Sequence, residues 1–224
     1  MKKILISALF ICIICTAFIS IKPKKLFLLG DSISMQYSPY LEKMLAGKFT
    51  IIRKQDGGEG MQNFDVPKGS NIGDSRMALT YIKFKLSDER FTPDLITLNC
   101  GLHDIKRNPA TQAIAVDTTE YRQNLREIAS IVAKRKIEMI WIRTTAVVDS
   151  IHMKNKGFSR YAKDLDKYNA IADEVFKKAN IKSIDLYSFT KNLGGNRYVD
   201  HVHYNDETKM VQAAYIAGFL NGLK

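Results

Sequence analysis

The sequence predicts an α/β protein, a three-layer sandwich built on a five-stranded parallel sheet. Three observations carry that prediction. Short apolar runs recur along the chain and stop at glycine, as at residues 26–29 before Gly30 and at 94–100 before Gly101. Strands buried on both faces read as continuous apolar runs rather than as an alternation. The segments between them carry apolar residues at helical spacing, the pattern of crossover helices. Finally, no repeat, low-complexity tract or compositional break divides the 224 residues, a length that suits one domain.

The elements follow in order. The first strand, 26–29, closes in Gly30-Asp31-Ser32, where the backbone must turn. Ser38-Pro39 then reads as a cap followed by proline at a first helical position, with Leu41, Met44 and Leu45 behind it and Gly47 closing. A short second strand spans 49–53. Residues 54–71 are polar and glycine-rich without a period, which predicts a long loop, and such loops tend to be functional.

Leu79, Ile82 and Leu86 mark a helix starting near Asp74, and Pro93 separates it from the strand at 94–100. Tyr121, Leu125, Ile128 and Val132 stripe the next helix, with Thr118 or Thr119 as its expected cap. The strand 137–142 follows, then a helix striped by Tyr161, Leu165, Tyr168, Ala172 and Val175. Ile184 and Leu186, alternating with Asp185 and Tyr187, predict a last strand near an edge. A final helix carrying Met210, Ala214 and Ala217 is expected from Asn205 or Asp206.

The chain carries a formal net charge of +11 with 46% hydrophobic and 25% charged residues, which excludes a disordered chain. Lys2, Lys3, Lys22, Lys24 and Lys25 flank an uncharged segment, 4–21, and account for much of the excess. No basic run interleaved with aromatics occurs, so nucleic acid is not an expected partner. The 4–21 segment reads as a targeting element, and residues 1–24 are expected to be a signal peptide or an N-terminal membrane anchor. Export follows: periplasmic, secreted, or anchored facing outward. Cys12 and Cys15 fall in that segment, leaving Cys100 alone in a strand, where it reads as a small hydrophobe.

The chemistry is expected at one edge of the sheet. In open α/β sheets ligands gather at the carboxyl ends of the strands. Ser32 lies just past the first strand, and three of the four histidines, His103, His201 and His203, lie past the third strand or before the last helix. Serine is a poor nucleophile until an imidazole takes its proton and a carboxylate holds that imidazole. Asp200-His201-Val202-His203 places acid and base three residues apart. Ser32 has Gly30 before it but Ser34 after it, so the Gly-x-Ser-x-Gly elbow of the α/β-hydrolases is missing.

From residue 25 to the C-terminus the sequence resembles the SGNH (GDSL-type) hydrolase superfamily. Gly30-Asp31-Ser32-Ile33 is similar to its first motif, and Asp200-x-x-His203 to its last. Ser70-Asn71-Ile72-Gly73 resembles the second, with Gly58 or Gly60 as fallback, and Gly101-Leu102-His103-Asp104 the third. There His103 stands where the family carries asparagine. The resemblance implies a flavodoxin-like SGNH fold over 25–224, with Ser32 as nucleophile, His203 as base and Asp200 as orienting acid. It also implies Gly73 as an oxyanion donor and His103 as an oxyanion or substrate contact. No cofactor or metal is implied.

The expected activity is hydrolysis of acyl esters, acetyl or other short chains, on a small molecule or polysaccharide. Alternatives remain: a catalytically impaired binding protein of the same fold, a lipid acylhydrolase, or an acyltransferase. A metal hydrolase using Asp200, His201, His203 and His103 would leave Ser32 without a role. Oligomeric state is not legible in the sequence.

Overall fold

The structure, a computed structural model, describes residues 22–149 and 157–223. The targeting segment predicted at 4–21 lies outside these residues. Five parallel strands form one sheet: β1 (Lys24–Leu29), β2 (Phe49–Ile52), β3 (Leu95–Leu98), β4 (Glu138–Ile142) and β5 (Lys182–Ile184). Their order is β2-β1-β3-β4-β5. Leu26 stands opposite both Ile51 and Leu95, so β1 lies central. The chain winds outward from β1 to β2, then returns to place β3 on the other side. That reversal opens a crevice beyond the carboxyl ends of β1 and β3, where flavodoxin-like sheets bind their ligands.

Among the described residues six helices cover the two faces: α1 (Ser32–Met44), α2 (Ser75–Ser87), α3 (Thr118–Lys134), α4 (Ala162–Lys178), α5 (Leu186–Asn192) and α6 (Asp206–Asn221). α1 packs on α6, which also touches α5; α2 packs on α3, and α3 on α4. β1, β3 and β4 fill the core between these layers, with Phe27, Ile96 and Trp141 wholly buried. Among the described residues no helix is long and apolar enough to cross a membrane.

The first helix starts seven residues earlier than the Ser38-Pro39 signal predicts. Asp31 is the cap, its Oδ1 accepting from Ile33 N at 3.0 Å. Pro39 sits inside the helix, a position that removes one N–H from the ladder. Ser38 Oγ supplies the missing donor, bonding to Met35 O at 3.1 Å, while Arg53 Nη1 donates to Ser38 Oγ at 2.5 Å. This correction matters to the site, because Ser32 becomes the first residue of a helix.

Two smaller corrections share one cause, aspartates taking the cap positions. Asp117, rather than Thr118 or Thr119, caps α3 by accepting from Thr119 N and Glu120 N. Asp185 accepts from Ser188 N and opens α5, so Leu186 and Tyr187 belong to a helix and β5 stops at Ile184. α6 starts where the sequence predicts, with Asn205 as its cap, but its buried face is Thr208, Gln212, Ala213, Ile216, Ala217 and Leu220, leaving Met210 and Ala214 of the expected stripe exposed.

The predicted long loop is present between β2 and α2, with one 3₁₀ turn at Glu59–Met61. Asp56 ties it together, accepting from Gly58 N, Gly60 N, Ser70 N and Ser70 Oγ at 2.8–3.2 Å. These bonds, led by the Ser70 N–H, hold the Asp56 carboxyl well below the usual carboxylate range. The loop is therefore closed on itself at its base.

Candidate active site

β1 and α1 meet with no intervening loop, which fixes Ser32 at the carboxyl edge of the sheet. Gly30 permits the junction: a Cβ there would come within 1.9 Å of Ser34 Oγ and 2.5 Å of Ser34 Cβ. Ser32 at the first turn of α1 has an N–H with no intrahelical partner, at the positive end of the helix dipole. Asp31 beneath it is wholly buried, and burial pushes its carboxyl up to about 6 against the bonds and charges that lower it.

The segment before α6 delivers the other two members. His203 Nε2 lies 2.8 Å from Ser32 Oγ, and His203 Nδ1 lies 2.6 Å from Asp200 Oδ2. Asp200 Oδ1 accepts from Val202 N at 2.9 Å and His203 N at 2.8 Å, so the two carboxylate oxygens have separate tasks. Burial works to raise the Asp200 carboxyl, but the His203 hydrogen bond and the backbone N–H groups hold it well below the usual range. An ionised Asp200 keeps a proton on His203 Nδ1, and Nε2 then presents its lone pair to the serine hydroxyl. Phe64, from the long loop, packs on the His203 ring at 5.0 Å between centroids.

Gly73 has φ +77, and a Cβ there would meet Met77 Sδ at 2.5 Å. Its N–H donates to Asn71 Oδ1 at 3.0 Å, so serving an oxyanion requires exchanging that partner. The N–H groups of the fallback glycines, Gly58 and Gly60, likewise donate to a side chain, Asp56 Oδ1, at 2.8 and 3.2 Å.

Asn71 is a site residue that sequence reasoning missed. It pairs with Gly30 across a parallel bridge, and Ile72 N donates to Gly30 O. The Gly73 bond sets the Asn71 amide orientation, turning Nδ2 toward Phe64 O at 3.2 Å and His103 Nε2 at 3.4 Å. His103 Nε2 accordingly accepts, and its proton sits on Nδ1. His103 is 4% exposed; burial, then the charges of Lys106, Arg160 and His203, push its pKa well below the usual value. A neutral His103 retains one N–H to offer.

His201 faces away from solvent, with Nε2 2.9 Å from Arg160 Nη1. Among the described residues no three His, Cys, Asp or Glu side chains are grouped to hold a metal. The Cys100 thiol is buried, and burial pushes its pKa well above the usual value, as expected of an inert core residue.

The family model for GDSL-like lipases and acylhydrolases matches residues 26–216. Among solved structures, a lipase/acylhydrolase from Enterococcus faecalis is 18% identical with a TM-score of 0.66, over 89% of this chain and 96% of that one. The acetyl xylan esterase AlAXEase is 16% identical with a TM-score of 0.65, over 88% and 99%. The acetylxylan esterase Axe2 from Geobacillus stearothermophilus is 16% identical with a TM-score of 0.64, over 92% and 97%. These likenesses show the fold. Among curated protein sequences none matches the chain significantly. With its sheet order and the match across nearly all described residues, the chain belongs to the GDSL-like lipase/acylhydrolase family and is a hydrolase of ester bonds on the SGNH fold.

Proposed function

We propose that this protein is an exported serine esterase that removes acetyl or other short acyl groups from carbohydrate. The observation that carries the reading is the 2.8 Å contact between Ser32 Oγ and His203 Nε2, backed by Asp200 on Nδ1. As Ser32 attacks the acyl carbonyl, its proton passes to His203 Nε2, and Asp200 steadies the imidazolium. The Ser32 N–H at the α1 terminus supports the oxyanion, with Gly73 N–H and His103 as further donors. His203 then gives its proton to the leaving sugar oxygen, and water releases the acid.

The carbohydrate assignment is supported by a groove along α1 whose lining includes Phe64, the ring that packs on His203. Met35, Gln36, Tyr40 and Lys43 follow Ser32 along one face of α1 and form one wall. Phe64 and Lys54 contribute to the rest, around a volume of about 1270 Å³. That exceeds an ordinary small-molecule site of about 300–1,000 Å³. Its amides, charges and two aromatic rings suit hydroxyl-rich chains better than alkyl chains. Several solved relatives of the same fold are titled acetyl xylan esterases. The uncharged 4–21 segment behind Lys2-Lys3 supports export.

The test is a p-nitrophenyl ester series, from acetate to long acyl chains, on the wild type and Ser32→Ala, with fluorophosphonate labelling alongside. Acetate should be turned over fastest, Ser32 should label, and the variant should do neither. Undiminished turnover in Ser32→Ala would reject Ser32 as the nucleophile.

A further inference from the structure

Arg160 has no motif in the sequence, yet the residue is 2% exposed and its guanidinium reaches His201, the neighbour of Asp200. Ser159 pairs antiparallel with Arg107, at 2.8 and 2.9 Å, which delivers Arg160 beneath the segment that follows β3. Nε donates to Leu102 O at 2.7 Å, and Nη1 reaches Asp65 Oδ1 at 3.3 Å and His201 Nε2 at 2.9 Å. The Phe158 ring lies 4.7 Å from the guanidinium carbon. One cation thus joins the long loop, the His103 segment and the segment bearing Asp200.

A guanidinium has donors only, so His201 Nε2 must present its lone pair and the imidazole proton sits on Nδ1. That Nδ1 lies 3.5 Å from Asp200 Oδ1, an electrostatic distance rather than a hydrogen bond, beside the oxygen that does not serve His203. A buried cation must be paired and hydrogen-bonded, and here Leu102 O, Asp65 and His201 supply the partners, so the guanidinium fixes the geometry of all three.

We infer that Arg160 and His201 are positioning residues for the triad. Arg160 locks the His201 tautomer. The backbone N–H groups of Val202 and His203 hold Asp200 Oδ1, and the Nδ1–H dipole of His201, 3.5 Å away, adds electrostatic support on that oxygen and leaves Oδ2 for His203. The inference rests on the esterase reading of Ser32, His203 and Asp200.

The experiment compares the wild type with His201→Met and His201→Gln. Gln retains an acceptor for Arg160 and a donor for Asp200; Met retains neither. His201→Met should lower kcat for p-nitrophenyl acetate by up to about 100-fold with KM little changed, and His201→Gln should recover most of the loss. Histidine ring ¹⁵N spectra of the wild type, assigned by the signal that His201→Gln removes, should show a bare Nε2 and a protonated Nδ1. A proton on Nε2 overturns the inference, whether or not His201→Met folds. So does a His201→Met kcat within about twofold of wild type, a loss confined to KM, or an equal loss in both variants. A wild type that neither turns over esters nor labels at Ser32 overturns the esterase reading instead, and the spectra separate the two failures.

Discussion

Ser32 and His203 stand 171 positions apart in the chain, yet their side chains meet at 2.8 Å. One belongs to the helix that follows the central strand, the other to the segment that leads into the last helix, and those two helices pack on each other. If the pair acts as one unit, its members cannot be removed twice. Ser32→Ala and His203→Ala should each lower kcat for p-nitrophenyl acetate by about 10⁴- to 10⁶-fold, and the double variant no further. Single-turnover assays of the three variants check this, and multiplicative losses would show that the residues act separately.

Asp200→Asn should be folded and nearly inactive. Its Oδ1 can still accept from Val202 N and His203 N, so the segment keeps its shape. The amide nitrogen then faces His203 Nδ1, which must accept, and the imidazole proton moves to Nε2. His203 can no longer take the serine proton, and kcat should fall by about 10⁴-fold. Thermal melts would confirm the fold, and ring ¹⁵N shifts would report the tautomer.

Asp104 gives stability a pH dependence of known sign. Burial pushes its carboxyl up to about 7 from 3.8, against the bonds from Ser75 that lower it. Between those values the folded protein holds the proton more often than the unfolded chain, so stability from this group falls as pH rises and levels off above about 7. The slope approaches about 1.4 kcal/mol per pH unit at most. Asp104→Asn removes this fall while keeping an acceptor for Ser75 N. Urea midpoints at about pH 5 and about pH 8 should therefore lie closer together in the variant.

Gly30→Ala should harm stability and activity together. The added methyl collides with Ser34, whose Oγ is bonded to Tyr37 Oη at 3.0 Å and is not free to yield. Overpacking of this kind costs about 1–3 kcal/mol. Because the strain falls one residue before Asp31 and two before Ser32, kcat should drop while the fold persists. A denaturation midpoint and an ester assay on the same preparation check both.

The sequence alone determined the strands, the sheet class and which three side chains, Ser32, Asp200 and His203, meet at one edge of the sheet. Continuous apolar runs, helical stripes and the Gly30-Asp31-Ser32 and Asp200-x-x-His203 motifs are local patterns, and local patterns survive in a linear text. Its errors were local too: Ser38-Pro39 resembled a helix start because the donor that excuses a mid-helix proline, Ser38 Oγ to Met35 O, is visible only once the helix is built. Tertiary structure alone decided the commitments of individual donors. The Gly73 N–H donates to Asn71 Oδ1, a partner no local pattern shows, and Asn71 in turn fixes the proton of His103. Arg160, one of 34 basic residues, carries no mark in the text. Its role follows from burial, which makes a cation find partners, and those partners come from segments far apart in sequence.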